Sequence, residues 1–354
     1  MDHYIIGCDA HKYYSQFDVF NTSSQAEQRL RVEHTPQALR SFLAQFPKGT
    51  PVALESVGNW YWIVDEIEAA GCIPLMAHAA KAKVMMGNVN KSDKLDAKGL
   101  LTLLRNGTLP TVWLPPAAVR DERELPRTRM SFCKQRTALK NRIQATLAKY
   151  ALSPQEGEDL FTSQGRAWLN ETIQKLPAET RRCVQQELET LDHLQGQINQ
   201  LERRIRDCVA LTPEMQLLKS LPGIGDILAI VVAMEAGEMS RFPSPEHFAS
   251  YSGTVPKVKS SGGRTRYGHM RQEANRYLKW AFFEAANAVV SRRHHPLWRN
   301  RHVVRLYERL RQRKGHAVAA GAVARHLAEA AYWVLRKNEP YREPISKKGL
   351  SKQG

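Results

Sequence analysis

Short apolar runs and period-two alternation dominate the first 110 residues, interrupted by two segments of helical spacing. Tyr4-Ile5-Ile6-Gly7-Cys8 predicts an apolar strand. Phe17-Asp18-Val19-Phe20 and Leu30-Arg31-Val32 alternate, and predict two more strands that follow it as a meander. Thr35-Pro36 supplies a cap and first turn for a helix that presents Leu39, Phe42, Leu43 and Phe46 on one face. Pro51-Val52-Ala53-Leu54 predicts a buried strand, a helix from near Asn59 closes at Gly71, and Cys72 to Met76 makes a last strand.

Three strands followed by helix–strand–helix–strand is the order of a ribonuclease-H-like (RuvC-like) α/β fold. Pro110, Pro115 and Pro116 mark its end, and beyond them the pattern turns helical. Residues 119–150 are helical in composition, and another helix is expected after the Pro154–Gly157 region. On the segment that follows, Leu188, Leu191, Leu194, Ile198, Leu201 and Ile205 make a near-heptad seam with charged flanks. Such a seam suits a coiled coil or a long helical hairpin within one chain. The expected fold class is therefore α/β plus α.

Composition adds a partner to this outline. The 354 residues carry 52 Lys and Arg against 35 Asp and Glu, a formal net charge of +17, which points to a polyanion. The excess is uneven: 11 basic and 11 acidic residues stand before 111, but 25 and 11 stand after 210. A neutral front and a basic back suggest catalysis in one and nucleic-acid contact in the other. The five scattered cysteines form no CxxC pair, which suits a reducing cytoplasm and disfavours a disulfide framework or a zinc module. The start does not resemble a signal peptide, and the most apolar long stretch, Ala317 to Leu335, is interrupted by Arg325, His326 and Glu329. No membrane partner is expected.

Four acids form the first candidate site. Asp9 follows the first predicted strand and Glu55 ends the fourth. Asp93 and Asp96 open a helix behind the candidate cap Ser92, with a spacing that puts both on one face. Carboxylates gathered from separate elements suit Mg2+, a hard cation that takes oxygen ligands and stabilises in-line displacement at phosphorus. Singly, each acid is equally at home as a turn residue or in a first helical turn.

Two further signals lie in the basic back. Leu221-Pro222-Gly223-Ile224-Gly225 before an apolar run resembles a helix–hairpin–helix motif, in which Gly223 and Gly225 would bring backbone N–H groups to a phosphate. A tight turn between packed helices would look the same. The stretch Tyr251 to Arg266 sets Ser260 and Ser261 before Gly262-Gly263, flanked by Lys257, Lys259, Arg264 and Arg266. Those charges could offset a phosphate, and a serine there could attack it, although solvated basic loops have the same composition. Arg301 and Arg305, within the basic run Arg299–Lys314, are further candidates for phosphate contact. His294-His295 lacks the spacing of a helical metal site.

Together, Gly7-Cys8-Asp9-Ala10-His11-Lys12, Leu54-Glu55-Ser56-Val57-Gly58 and Lys91-Ser92-Asp93-Lys94-Leu95-Asp96-Ala97 are similar to the DEDD transposases of the insertion sequence 110 family, subgroup 1111 included. The Leu-Pro-Gly-Ile-Gly hairpin and the Ser-Ser-Gly-Gly-Arg loop follow in that family's order. The resemblance implies a RuvC-like domain over 1–112 and a helical, coiled-coil linker and dimerisation segment over 113–210. It also implies a C-terminal transposase domain over 211–340 and a disordered basic tail over 341–354. It assigns Asp9, Glu55, Asp93 and Asp96 to Mg2+ and Ser261 to the nucleophile of a phosphoserine intermediate, with Ser260 one position away and Ser252 more distant. The implied partners are DNA (element ends and target), a structured guide RNA and further copies of the chain, as a dimer or tetramer. A Piv-type DNA invertase shares these motifs. A ribonuclease-H-like junction nuclease would need only the acids, and a non-catalytic DNA-binding protein neither acids nor serine.

Overall fold

The computed structural model describes residues 3–87, 93–154, 158–270 and 273–344, without the side chains of 93–95, 259 and 265. Two compact units divide the chain, Met1–Ala117 and Ala118–Gly354.

In the first unit, β1 (Tyr4–Ala10), β2 (Tyr14–Asn21) and β3 (Glu27–Glu33) form the expected antiparallel meander. Helix α1 (Pro36–Leu43) then leads to β4 (Pro51–Glu55), and α2 (Trp60–Ala69) to β5 (Ile73–Ala77). Both later strands run parallel within the sheet, whose order is β3-β2-β1-β4-β5. This is the mixed sheet of a ribonuclease-H-like fold. Thr35 caps α1 as predicted, its hydroxyl accepting the Ala38 N–H at 3.1 Å. Helix α3 (Ala79–Met86), which no sequence signal marked, precedes α4 (Asp93–Arg105). The expected cap Ser92 lies outside the described residues.

Strand alternation assigns the two faces of the sheet. Ile6, Cys8, Val52 and Leu54 point to one face and join Leu39, Phe42, Ile63 and Ile67 in the larger core. Gly7 and Ala53 point to the other, where Ala53 packs with Leu100 and Leu103 of α4. Gly7 permits the approach of α4: a methyl group there would lie 2.3 Å from the Ala97 carbonyl oxygen and 2.7 Å from the Leu101 nitrogen.

The remainder is mainly helical. It comprises α5 (Ala117–Glu122), α6 (Glu124–Lys149), α7 (Ser163–Thr172), α8 (Ala178–Cys208), α9 (Pro213–Leu218), α10 (Asp226–Ala236) and α11 (Pro245–Tyr251). A two-stranded ribbon of β6 (Pro256–Ser261) and β7 (Arg264–Met270) then precedes α12 (Arg276–Ser291) and α13 (His302–Lys337). The core is built from Leu218, Leu221, Ile230, Phe248, Phe282, Ala285 and Leu327, among others. Helix α13 breaks at Gly315, whose φ of 80° and ψ of 172° leave the helical region.

The heptad seam is spent inside one chain. Leu188, Leu191, Leu194, Ile198 and Ile205 are buried, and α8 packs along α6. Arg129–Glu202 and Arg142–Glu187, both at 2.6 Å, cross the edges of this pair. A long helical hairpin therefore forms within the chain, with Leu201 of the seam half-buried. Residues 341–343, at the start of the segment assigned to the basic tail, are tied to the helical unit. Tyr341 donates its backbone N–H to the Ser220 hydroxyl at 2.7 Å, and Glu343 pairs with Arg301 at 2.8 Å.

Candidate active site and nucleic-acid interface

In the first unit the four predicted acids come from elements that meet at one end of the sheet. The parallel register aligns Cys8 with Leu54, so Asp9 and Glu55 stand side by side where β1 and β4 end. Each lies two residues beyond Gly7 or Ala53, and alternation puts both on the face covered by α4. Helix α4 runs back along β1: Ala97 and Leu101 sit over Gly7, while Arg105 stacks over Phe20, which pairs with Ile5. The N-terminal turn of α4, with Asp93 and Asp96, is thereby at the Asp9 end. That helix end carries partial positive charge and favours acids.

The Asp93 side chain lies outside the described residues. Among those described, no three His, Cys, Asp or Glu side chains gather closely enough to hold an ion. The donor set nevertheless fits a hard divalent cation, since every candidate is a carboxylate and none is a thiolate. His11 was quoted in the motif without a role. It sits two residues beyond Asp9, and its Nε2 lies 3.1 Å from Asp9 Oδ2. The signal was available in the i, i+2 spacing of a strand end. Cys8 packs with the apolar core, and burial pushes its thiol up to about 12, which excludes it as a reactive group.

In the second unit the serine stretch is a β-hairpin and not a loop. Gly262 (φ 55°) and Gly263 (φ 72°) make its two-residue turn, the left-handed pair that suits the twist of tight hairpins. The register pairs Ser261 with Arg264, Ser260 with Thr265, Lys259 with Arg266 and Val258 with Tyr267. Residues paired across the ribbon share a face, and successive pairs alternate. Ser261, Arg264 and Arg266 therefore point one way, and Ser260, Val258 and Tyr267 the other. The ribbon is solvent-exposed along both strands, and Val258 and Tyr267 are exposed apolar residues. Lys257 pairs with Glu273 at 3.3 Å, and the Lys259 side chain lies outside the described residues. Ser252 is fully buried.

The candidate phosphate contacts differ in kind. Gly223 is a packing glycine with φ +82°, where a methyl group would lie 2.3 Å from the Ala285 carbonyl oxygen. Gly225 is open and precedes α10, whose first residue Asp226 pairs with Lys219 at 2.7 Å. Arg305 is exposed, whereas Arg301 is half-buried and joined to Glu343.

One cluster had no sequence signal. Glu235, 3% exposed at the end of α10, receives Arg127 Nε at 2.8 Å, Arg127 Nη2 at 3.1 Å and Asn275 Nδ2 at 2.8 Å. Its members are 108 and 40 residues apart in the chain, beyond the reach of any local pattern.

A ribonuclease-H-like sheet ending in acids, followed by a basic helical unit with a serine hairpin, defines a nucleic-acid-processing enzyme of the DEDD class. Residues 6–152 match the DEDD transposase domain of IS110 elements, and residues 215–303 match the transposase IS116/IS110/IS902 family. A probable family 20 transposase of Pseudomonas aeruginosa is 29% identical over 261 residues, covering 71% of this chain and 74% of that protein. The transposase for insertion sequence element IS1111A of Coxiella burnetii is 25% identical over 263 residues, covering 72% and 69%. The pilin gene-inverting protein of Moraxella bovis is 28% identical over 162 residues, covering 44% and 49%.

The chain belongs to the IS110/IS1111 family of transposases and is related to the pilin invertase. It is accordingly a DNA-binding enzyme of cleavage and strand transfer, whose DEDD domain implies a divalent metal. Among the described residues no helix is long and apolar enough to cross a membrane.

Proposed function

We propose that this transposase cuts and rejoins DNA through a phosphoserine intermediate formed by Ser261. The observation that carries the choice is the hairpin register, which gives Ser261 the face of Arg264 and Arg266 and leaves Ser260 on the face of Val258 and Tyr267. A phosphate drawn to the two guanidinium groups meets the Ser261 hydroxyl, and both charges offset the pentavalent transition state. The Ser261 Oγ–P bond forms as the bond to the departing strand's oxygen breaks. The hydroxyl proton passes to solvent or to that oxygen. A hydroxyl of the exchanged strand then attacks the phosphoserine ester, restoring a phosphodiester and releasing Ser261.

Asp9, Glu55, Asp93 and Asp96 would hold the cation, taken as Mg2+. When bound, it supplies charge neutralisation and Lewis acidity at the scissile phosphate. The protein's own part is to hold those carboxylates at one sheet end, with α4 set against Gly7. Guidance by a structured RNA and a composite site in a homo-oligomer rest on the family resemblance.

The test is to trap a covalent protein–DNA adduct on duplex DNA carrying the sequence that flanks the gene. Ser261→Ala should abolish the adduct and strand exchange, while Ser260→Ala retains both. Cleavage that survives loss of both serines would instead establish a water-using nuclease. The likeness to the pilin gene-inverting protein supports a second reading as a DNA invertase. Inverted repeats bounding an invertible segment beside the gene would favour it, and element ends with an adjacent noncoding RNA would favour transposition.

A further inference from the structure

The serine hairpin has no core of its own. Both strands are exposed, and an isolated two-stranded ribbon is marginal in water. Its direction must be set where it leaves the helical unit, and that root is densely tied. The Asn275 N–H donates to the Tyr251 carbonyl at 2.8 Å, joining the residues that precede and follow the excursion. Thr254, 1% exposed, donates to the Ala249 carbonyl at 3.0 Å, and Gly253 (φ +65°) sits against Ala274 and Lys279.

Asn275 uses both ends of its amide. Oδ1 caps α12 by accepting the N–H groups of Tyr277 at 2.9 Å and Leu278 at 3.0 Å. Nδ2 donates to Glu235 Oε2 at 2.8 Å. Glu235 itself is badly placed for α10, since a carboxylate at a helix C-terminus opposes the dipole. Its partners all come from elsewhere: Arg127 as a two-pronged donor from α6, Arg123 with Nη1 at 4.0 Å, and Asn275. The Arg127 guanidinium also lies 4.4 Å from the Tyr277 ring centroid, in the first turn of α12.

We infer that Glu235, bonded to Asn275 and Arg127, is a positioning node that fixes the serine hairpin's root to α12 and to the α6 arm. The inference rests on reading the hairpin as the carrier of the nucleophile. A buried ion pair is weak evidence for stability alone, and its best-attested use is to hold one arrangement against others. Here the arrangement held is the direction in which Ser261 and its two arginines are presented.

The test compares variants of the full chain by amide hydrogen exchange and by adduct yield on the flanking-sequence duplex. Asn275→Asp keeps the cap but sets a carboxylate against Glu235. It should speed exchange of the 256–270 amides about tenfold and cut adduct yield about tenfold, with duplex affinity kept within about twofold. Asn275→Ser keeps a good cap and drops the link, so it should loosen the hairpin without risking like-charge unfolding. The reciprocal pair Glu235→Gln with Asn275→Asp restores an amide facing a carboxylate but gives up one prong of the Arg127 bond, and should recover part of both readouts relative to Asn275→Asp alone. Unchanged hairpin exchange in Asn275→Asp and Asn275→Ser would overturn the node. So would a reciprocal pair that recovers melting temperature but not hairpin protection. If Ser261→Ala kept the adduct, the nucleophile reading would fall, while hairpin exchange would still decide the node.

Discussion

The two candidate halves of this chemistry are held in opposite ways. The acids stand at the end of a five-stranded sheet with a helix pressed against its backbone, and their positions follow from core packing. Ser261 stands near the tip of a bare ribbon, and its position follows from polar ties at the root. The charge divides along the same line, with the front neutral and the basic excess behind residue 210. A site built on a core is broken by overpacking it. A site on a ribbon is broken by loosening one buried node at its root.

The largest effect expected is from the acids. Asp9→Asn or Asp96→Asn should lower strand cleavage by about a thousandfold or more, with duplex binding changed less than about twofold. Chelation of divalent metal should do the same to the unaltered chain. Cleavage rates beside a binding titration check this, and cleavage that survives Asp9→Asn would dissolve the division between the halves.

The next effect belongs to the basic unit and depends on pH. His326 is held down to about 4, first by burial and then by His302 beside it, with Glu343 opposing. The folded state therefore keeps His326 neutral where the unfolded chain, near 6.5, takes up a proton. Its contribution is complete above about 6.5 and is lost as pH falls toward 4, a change of about 3 kcal/mol at most. Denaturant melts from pH 7 to 4 should show this loss, and His326→Gln should remove that part of the slope. An unchanged slope would show that the residue is protonated in the fold.

On the other side of the comparison, Gly7→Ala should destabilise the first unit by about 1–3 kcal/mol, because a methyl group has backbone on two sides and no flexible side chain to displace. It should also depress cleavage, since α4 carries Asp93 and Asp96. Denaturant unfolding followed in the first unit checks the first claim, and unaltered stability would mean that α4 is not pinned where Gly7 admits it.

How much of this was legible follows the same division. Every strand of the first unit was marked by apolar runs or alternation, because one face of the sheet must be buried. The ribbon escaped notice as strands because its residues bury nothing, so Lys257 to Arg266 alternate in no hydrophobic sense. Only Gly262-Gly263 carried a hairpin signal. The α8 seam was visible as a seam, but 3-and-4 spacing is the same whether its partner is α6 or a second chain. The Glu235 node was invisible, since a Glu, an Arg and an Asn so far apart in sequence leave no period.

The smallest effect separates two arginines that the sequence treats alike. Arg305 is exposed, and a phosphate contact there would release about one counterion. Arg305→Ala should then weaken duplex binding about equally across sequences and reduce the slope of log affinity against log salt by about one. Arg301 already shares its charge with Glu343 at 2.8 Å and lies against the Trp298 ring at 5.3 Å. Its replacement by alanine should change the slope less, while removing one of the ties that hold the 341–344 segment. Binding of a double-stranded oligonucleotide across a salt series measures both. If Arg301→Ala gave the larger slope change, the Glu343 pair would have to open on binding, and the C-terminal segment would be a participant in gripping DNA and not a brace.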